Sequence, residues 1–517
     1  MRDDLEDVGV NDSAEPSIGT LIGRRFGRRV ALRGLAGAGV AAALGAESLT
    51  TTALAQSGGP STLGFKEIAH TLDSTQHVPE GYEVQVLIRW GDPVGAGAPA
   101  FDPAKLTAAA QEKQFGYNND YIGLHPLPAN SKQSDRFLMV VNHEYTNTGL
   151  MFAGLSGARA VANKAQSEVE MAAVGGTVVE IAREGAAWKV VGDSKYARRI
   201  SVNTPMEISG PAAGDARLKT AADPGGRKVF GTLNNCAGGM TPWGTWLTCE
   251  ENFNSFFGGD ASKLPDAEVQ KRYGVGREAA YSWWRHIDRF NLEKEPNEPN
   301  RFGWVVEIDP YEPDSVPVKR TALGRFKHEG CTSVLAKDGR VVLYSGDDER
   351  FEYVYKFVTS KPWNPNDRTA NKNLLDEGTL YVARFAADGK AEWLPLIQGQ
   401  GPLTAENGFA TQADVAIKTR LAADLLKPTP MDRPEDIETN PVNDKVYVVL
   451  TNNGLRKPDQ VEAANPRARN DHGHIVEITP KDGDHGSTGG TWTVFLLAGK
   501  PGQDAGAHYH RATSDNG

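Results

Sequence analysis

WLTCEEN, residues 246–252, is an apolar run that stops on two acids and an amide, and the chain repeats the device three more times. FLMVVNHEY at 137–145, VVLYSGDDE at 341–349 and VYVVLTNN at 446–453 have the same form. Glu144, Glu251, Asp348 and Asn453 mark corresponding places, separated in turn by 107, 97 and 105 positions. A second phrase recurs as well, an alternating strand with a Gly/Asp turn, at 175–191, 303–320, 378–396 and 473–483. Period-two alternation bounded by turn residues is the pattern of strands. Strand groups that recur with long, irregular insertions predict an all-β chain, a β-propeller with loop and helical insertions. The period is about twice that of a compact blade, so the blade number stays open.

Composition agrees with this reading. The 56 Gly and 30 Pro among 517 residues are scattered between short apolar runs, which favours strands and turns over long helices. Short helical excursions are expected within 102–113, 265–285 and 406–426, and polar loops at 364–376 and 456–470. A net charge of −10 without a long basic stripe argues against nucleic acid as a partner. Three cysteines are too few for a disulfide framework, and at least one stays unpaired within the chain.

Residues 1–55 read as an export signal, and 56–517 as one propeller domain. Arg28-Arg29 with Leu32 and Arg33 has the order of a twin-arginine (Tat) signal, with Ala31 where Phe is usual. Arg24-Arg25-Phe26 is a second arginine pair upstream. The Gly/Ala-rich run at 34–46 is too short for stable membrane insertion, and Ala53-Leu54-Ala55 fits a cleavage site before Gln56. The Tat machinery is therefore an expected partner, and the expected location is periplasmic or extracellular. Tat carries folded proteins, so a cofactor can be loaded before export.

In a propeller the ends of the inner strands converge, which gives the repeated acids a chemical meaning. Glu144, Glu251, Glu329 and Glu435 offer four hard oxygen ligands from four repeats, suited to Ca²⁺, Mn²⁺ or Fe³⁺. Capping strands and starting turns is the plainer role open to any one such cluster. Cys236, in LNNCAGGMTPWGTWLTCEEN at 233–252, adds a soft thiolate near Glu250 and Glu251, or else is a buried core thiol. Cys249 fits the core of its strand. The chain has no CxxC and no HExxH, which argues against zinc. His508 and His510 share one face of a strand, as surface residues or as ligands. Arg433 beside Glu435 and Asp436 either offers a planar fork to phosphate or carboxylate oxygens, or holds its acidic neighbours in place.

Taken together, the twin-arginine leader, NHEY, TLNNCAGGMTPWGTWLTCEEN, FKHEGCTS, SGDDERFEYVYKF and RPEDIE make the chain resemble the PhoX family of secreted alkaline phosphatases. The resemblance runs from about Phe65 to the end. It implies a propeller that hydrolyses phosphate esters at a centre of ferric iron (Fe3+) and calcium (Ca2+). Cys236 would give its thiolate to iron, and Glu251, Glu329 and Glu435 would bind metal. Arg433 would hold the phosphate. Glu144, Glu250, Asp347 and Asp348 match the family by motif as further metal ligands. Family members continue past the equivalent of GAHYHRATSDNG at 506–517, so the resemblance also implies closing strands missing from the C-terminus. Two other readings remain: a calcium-dependent, lactonase-like propeller hydrolase, and a non-catalytic calcium-binding propeller.

Overall fold

Three sheets, each made from one continuous length of chain, hold the described strands. The first contains β1 (Asn119–Pro126), β2 (Arg136–His143), β3 (Gly175–Glu184) and β4 (Ala187–Val190) in that order, with β5 (Arg198–Ile200) also on β3. The second contains β6 (Pro205–Ser209), β7 (Lys228–Phe230), β8 (Asn235–Met240), β9 (Trp246–Glu250), β10 (Val305–Ile308) and β11 (Val318–Arg320), in the order β7-β6-β11-β10-β9-β8. The third contains β12 (Thr332–Leu335), β13 (Arg340–Gly346), β14 (Val354–Pro362), β15 (Gly378–Phe385), β16 (Lys390–Pro395), β17 (Pro434–Asn440), β18 (Lys445–Leu450), β19 (His474–Pro480) and β20 (Gly489–Leu497). Its order is β12-β13-β14-β15-β16-β20-β19-β18-β17, and β21 (His508–Tyr509) pairs with β20. The described ladders are antiparallel, apart from the parallel β6–β11 pair.

This is a computed structural model that describes residue 68 and residues 74–132, 135–276, 279–499 and 508–509. The export signal expected over 1–55 lies outside the described residues, as do 500–507 and 510–517. The chain divides into a large unit, Leu87–Asp471 with Val476–Thr493, and a small unit made of Met1–Val86, His472–Ile475 and Val494–Gly517. In the small unit, Leu496 and Leu497 pair with Tyr509 and His508. The large unit carries all the chemistry described below.

The four apolar runs become β2, β9, β13 and β18, the second strand of each repeat. Each is flanked by strands on both sides, and β2, β9 and β13 are buried nearly throughout. Burial of both faces is why those stretches read as unbroken apolar runs and not as alternation. The first strands β1, β8, β12 and β17 all end a strand path, and β8 lies against β1 and β12, while β12 lies against β17. The second phrase forms the third strand of its repeat at β3, β10 and β19. In the third repeat it forms β15, because EYVYKFV, which lacks a Gly/Asp turn, supplies the third strand β14.

Helices are short: Ala108–Gln111, Thr148–Met151, Ala267–Arg272, Gln412–Ile417 and Thr419–Leu426. The longest helix among the described residues, Lys164–Ala173, was not expected and starts on a capping box between Asn163 and Gln166. Its inner face buries Glu170, which accepts from Thr148 Oγ1 at 2.6 Å and Trp283 Nε1 at 2.8 Å. The three cysteines are free and buried, Cys249 and Cys331 within one apolar cluster.

Gly346 ends β13 where it crosses the start of β17. A Cβ there would lie 2.3 Å from the Pro434 carbonyl oxygen and 2.8 Å from that of Glu435. The close approach brings the end of the third repeat onto the fourth. Gly346→Ala should therefore cost about 1–3 kcal/mol in denaturant unfolding; an unchanged midpoint would contradict this packing.

Candidate metal centre

One backbone hydrogen bond recurs in all four repeats and fixes how each delivers its side chains. The N–H just past the second strand donates to a carbonyl just before the first. Glu144 donates to Asn118 at 3.1 Å, Glu251 to Asn234 at 3.0 Å, Asp348 to Lys327 at 3.1 Å and Thr451 to Arg433 at 3.3 Å. Two residues beyond each acceptor stand Asp120, Cys236, Glu329 and Glu435. Asn118, Asn234 and Arg433 hold φ of 50°, 49° and 58°. That left-handed kink suits Asn but is uncommon for Arg.

The side chains so delivered meet. Asp120, Glu144 and Cys236 each offer a ligand atom within 4.8 Å of the others, and Cys236, Glu251 and Glu329 do the same. Cysteine has a single ligand atom, so Cys236 Sγ belongs to both groups. It lies 2.8 Å from Glu329 Oε1. Arg433 closes the far side, with Nε 2.9 Å from Asp348 Oδ1, and Nη2 2.6 Å from Asp348 Oδ2 and 3.2 Å from Glu435 Oε1. Lys327 reaches Glu349 at 2.7 Å.

Burial and crowding push the proton affinities of these groups up. Glu144 rises to about 8, first from burial and then from Asp120, and Glu435 to about 7, from burial and then Asp348. Burial followed by the charge of Asp348 lifts Glu251 well above the carboxylate range, and burial followed by Glu251 does the same to Glu329. The Cys236 thiol is raised by burial, then by Glu329. Asp120 and Asp348 are raised by burial as well. Six carboxyls and a thiol thus share one place, offset among the described residues by Arg433 and Lys327. Such a set takes up protons unless cations join it. Its mixture of one soft sulfur and several hard oxygens fits a metal centre of mixed character.

Of the expected ligands, Cys236, Glu144, Glu251 and Glu329 are brought together, with Asp348 and Glu435 beside them on Arg433. Glu250 and Asp347 are committed elsewhere. Glu250 is fully buried and accepts from Lys319 Nζ at 2.6 Å and from the N–H groups of Leu233, Gly303 and Trp304. Asp347 is held by Arg420 through both carboxylate oxygens. Alternation along an extended chain sends neighbouring side chains to opposite faces, so each acidic pair divides between the centre and a structural ion pair. Asn453 does not correspond to Asp348: Thr451 takes that place, and Asn453 Nδ2 donates to Asp432 at 2.9 Å. The side chains of His508 and His510 lie outside the described residues. Asp120 was missed, although Asn118-Asn119-Asp120 and Asn234-Asn235-Cys236 share a phrase that could have revealed it.

The family model for alkaline phosphatase PhoX matches residues 63–516. The chain belongs to the PhoX family. The solved structure of Pseudomonas fluorescens PhoX in complex with vanadate, a transition state analogue, is 44% identical with a TM-score of 0.81, covering 86% of this chain and 78% of that one. No curated protein matches. The protein is a phosphomonoesterase of the alkaline phosphatase type. Family membership sets aside the lactonase-like and non-catalytic readings.

The raised carboxyls give a pH test of the metal-free state. Glu144 and Glu435 have an ordinary value of 4.5 and native values of about 8 and about 7. Their native state favours the protonated form, so that stability is fully present below the ordinary value and is lost as pH rises to about 8. Chelator-treated protein should show a Tm that falls between about pH 5 and about pH 8.5, with a smaller fall in Glu144→Gln, and added metal should remove the fall. A chelated protein with the same pH profile as the metal-loaded one would contradict the clustering.

Proposed function

We propose that the four repeats are blades of a β-propeller and that the protein releases inorganic phosphate from phosphate esters outside the cytoplasm, after Tat export, at a centre of ferric iron and calcium. Among the described residues no helix is long and apolar enough to cross a membrane. The observation that carries the reading is Cys236 Sγ standing in both donor groups, with Arg433 beside them.

The donor chemistry divides the residues. Cys236, with Glu251 and Glu329, would hold iron, for which a thiolate is a suitable ligand. Asp120, Glu144, Asp348 and Glu435 supply the oxygens that calcium prefers. Bound there, the cations would act as Lewis acids on the phosphoryl oxygens and lower the proton affinity of water.

The protein's own groups position and balance charge. Asp348 grips the Nε–Nη2 edge of Arg433 and so orients the guanidinium before substrate arrives. Among the described residues Nη1 has no acceptor, which leaves it free to donate to a phosphoryl oxygen. Phosphoryl transfer depends on positioning and neutralisation, and a preorganised donor provides both without reorganising during reaction. A left-handed backbone at an arginine costs on the order of 1–3 kcal/mol. That strain fits a residue held in place for function. Buried Asp432, which accepts from Arg456 Nε at 2.7 Å and from the side chains of Asn453 and Asn470, anchors the chain just before it.

Arg433→Gln should lower kcat/KM for p-nitrophenyl phosphate by about 10²–10³ with metal content intact, whereas Cys236→Ser should lose iron and activity together. Activity and iron content both surviving Cys236→Ser would overturn the assignment. Assay of fractionated cells checks the location, since activity confined to the cytoplasm would contradict export.

A further inference from the structure

The loop after β2 carries a cation that the metal centre leaves unused. Residues 144–163 are tied at both ends to one segment, Tyr281-Ser282. Thr146 N–H donates to the Tyr281 hydroxyl oxygen at 3.2 Å, and that hydroxyl donates to the Thr146 carbonyl at 3.0 Å. Ala162 N–H donates to Ser282 Oγ at 3.0 Å, and Ser282 Oγ donates to the Ala162 carbonyl at 3.1 Å. Between these anchors the loop is closed by Thr148 N–H on the Ala158 carbonyl and Gly149 N–H on the Gly157 carbonyl, at 3.0 and 3.1 Å. Little freedom remains.

Arg159 is fixed inside this frame. Its Cζ stands 4.5 Å from the centre of the Tyr281 ring and 5.0 Å from that of Tyr145, and Nη1 donates to the Thr146 carbonyl at 2.7 Å. The other arginines near the centre are matched with acids: Arg420 with Asp347, Arg456 with Asp432, Arg433 with Asp348. Arg159 has no ion-pair partner among the described residues, and its Nε and Nη2 have no acceptor there. It is half-buried and stacks on Tyr145, the residue next to Glu144, yet it makes no hydrogen bond to the Glu144 carboxyl. Arg159 is thus fixed beside the chain that carries Glu144, while Arg433 holds Asp348 and Glu435. Leu150 and Val161 of the same loop are 76% and 68% exposed.

A guanidinium gripped by two rings and one carbonyl, with an edge left over, loses little entropy on binding an oxyanion. The phosphoryl group belongs to the metal donors and Arg433. What extends beyond them is the alcohol part of the ester. We propose that Arg159 is a specificity-determining residue that binds a second oxyanion, carboxylate or phosphate, on the leaving group of the phosphate ester.

The inference rests on the phosphatase reading, so the test starts from wild-type hydrolysis of a neutral ester. Phenyl phosphate, 4-carboxyphenyl phosphate and a phenylene bisphosphate are compared for the wild type, Arg159→Gln and Arg159→Lys, with metal content and Tm measured for each. Absence of wild-type turnover on phenyl phosphate would count against the phosphatase reading itself. Arg159→Gln should lower kcat/KM for one or both anionic esters by about tenfold or more, through KM, and leave phenyl phosphate within about twofold. Arg159→Lys should recover part of the loss. Which anionic ester suffers more tells carboxylate from phosphate. Equal losses on all three esters would show a merely structural arginine and overturn the proposal, as would no loss on any.

Discussion

Everything at this site follows from the mutual repulsion of acids buried around one sulfur. Six carboxyls and the Cys236 thiol are buried or half-buried together, where each charged form is disfavoured by desolvation and again by its neighbours. A fold that gathers such groups without cations holds them protonated and is penalised when they ionise. With cations it gains a rigid, strongly charged centre. The arrangement makes sense as the donor set of a metalloenzyme, and membership of the PhoX family agrees with that.

The gathering is achieved by a simple unit used four times. A hydrogen bond locks the end of the second strand to the start of the first, and the residue two positions on is aimed at the centre. The unit is varied where function requires it. At the locking carbonyl stand Asn118 and Asn234 in two repeats, and Lys327 and Arg433 in the other two. At the strand end stand Glu144, Glu251 and Asp348, then the uncharged Thr451. The repeat that lacks an acid at its strand end is the one that contributes Arg433. The centre is therefore polarised, with amides at one end of the repeat series and cations at the other. Arg159, which stacks on Tyr145 beside Glu144, comes from an insertion and not from a repeat.

Much of this was legible in the sequence, and the part that was not has identifiable causes. Three of the second strands, β2, β9 and β13, announced themselves because burial of both faces leaves an unbroken apolar run; β18 alternates in burial but is apolar on its outer face as well. β1 did not: its burial alternates with exposure, and NDYIGLHP carries no such run, so Asp120 went unnoticed at its head. Glu250 and Glu251 cannot be told apart by type. One position of parity decides which faces the centre and which faces Lys319, and Lys319 lies in a distant strand. The same holds for Asp347 and Asp348, whose partners are Arg420 and Arg433. In the fourth repeat the pattern points to Asn453, two residues late, because its amides resemble a strand end while the locking hydrogen bond falls on Thr451.

The central claim is that a metal shares the sulfur of Cys236 between carboxylates from different repeats. Anomalous scattering measured at the iron absorption edge, on crystals of protein folded in the presence of iron and calcium, tests it most directly. The account predicts an iron peak within bonding distance of Cys236 Sγ, about 2.3 Å for a metal–thiolate bond, with Glu251 or Glu329 oxygen on the same ion. Density showing Cys236 as a free thiol, with any metal bound only by oxygens, would contradict it.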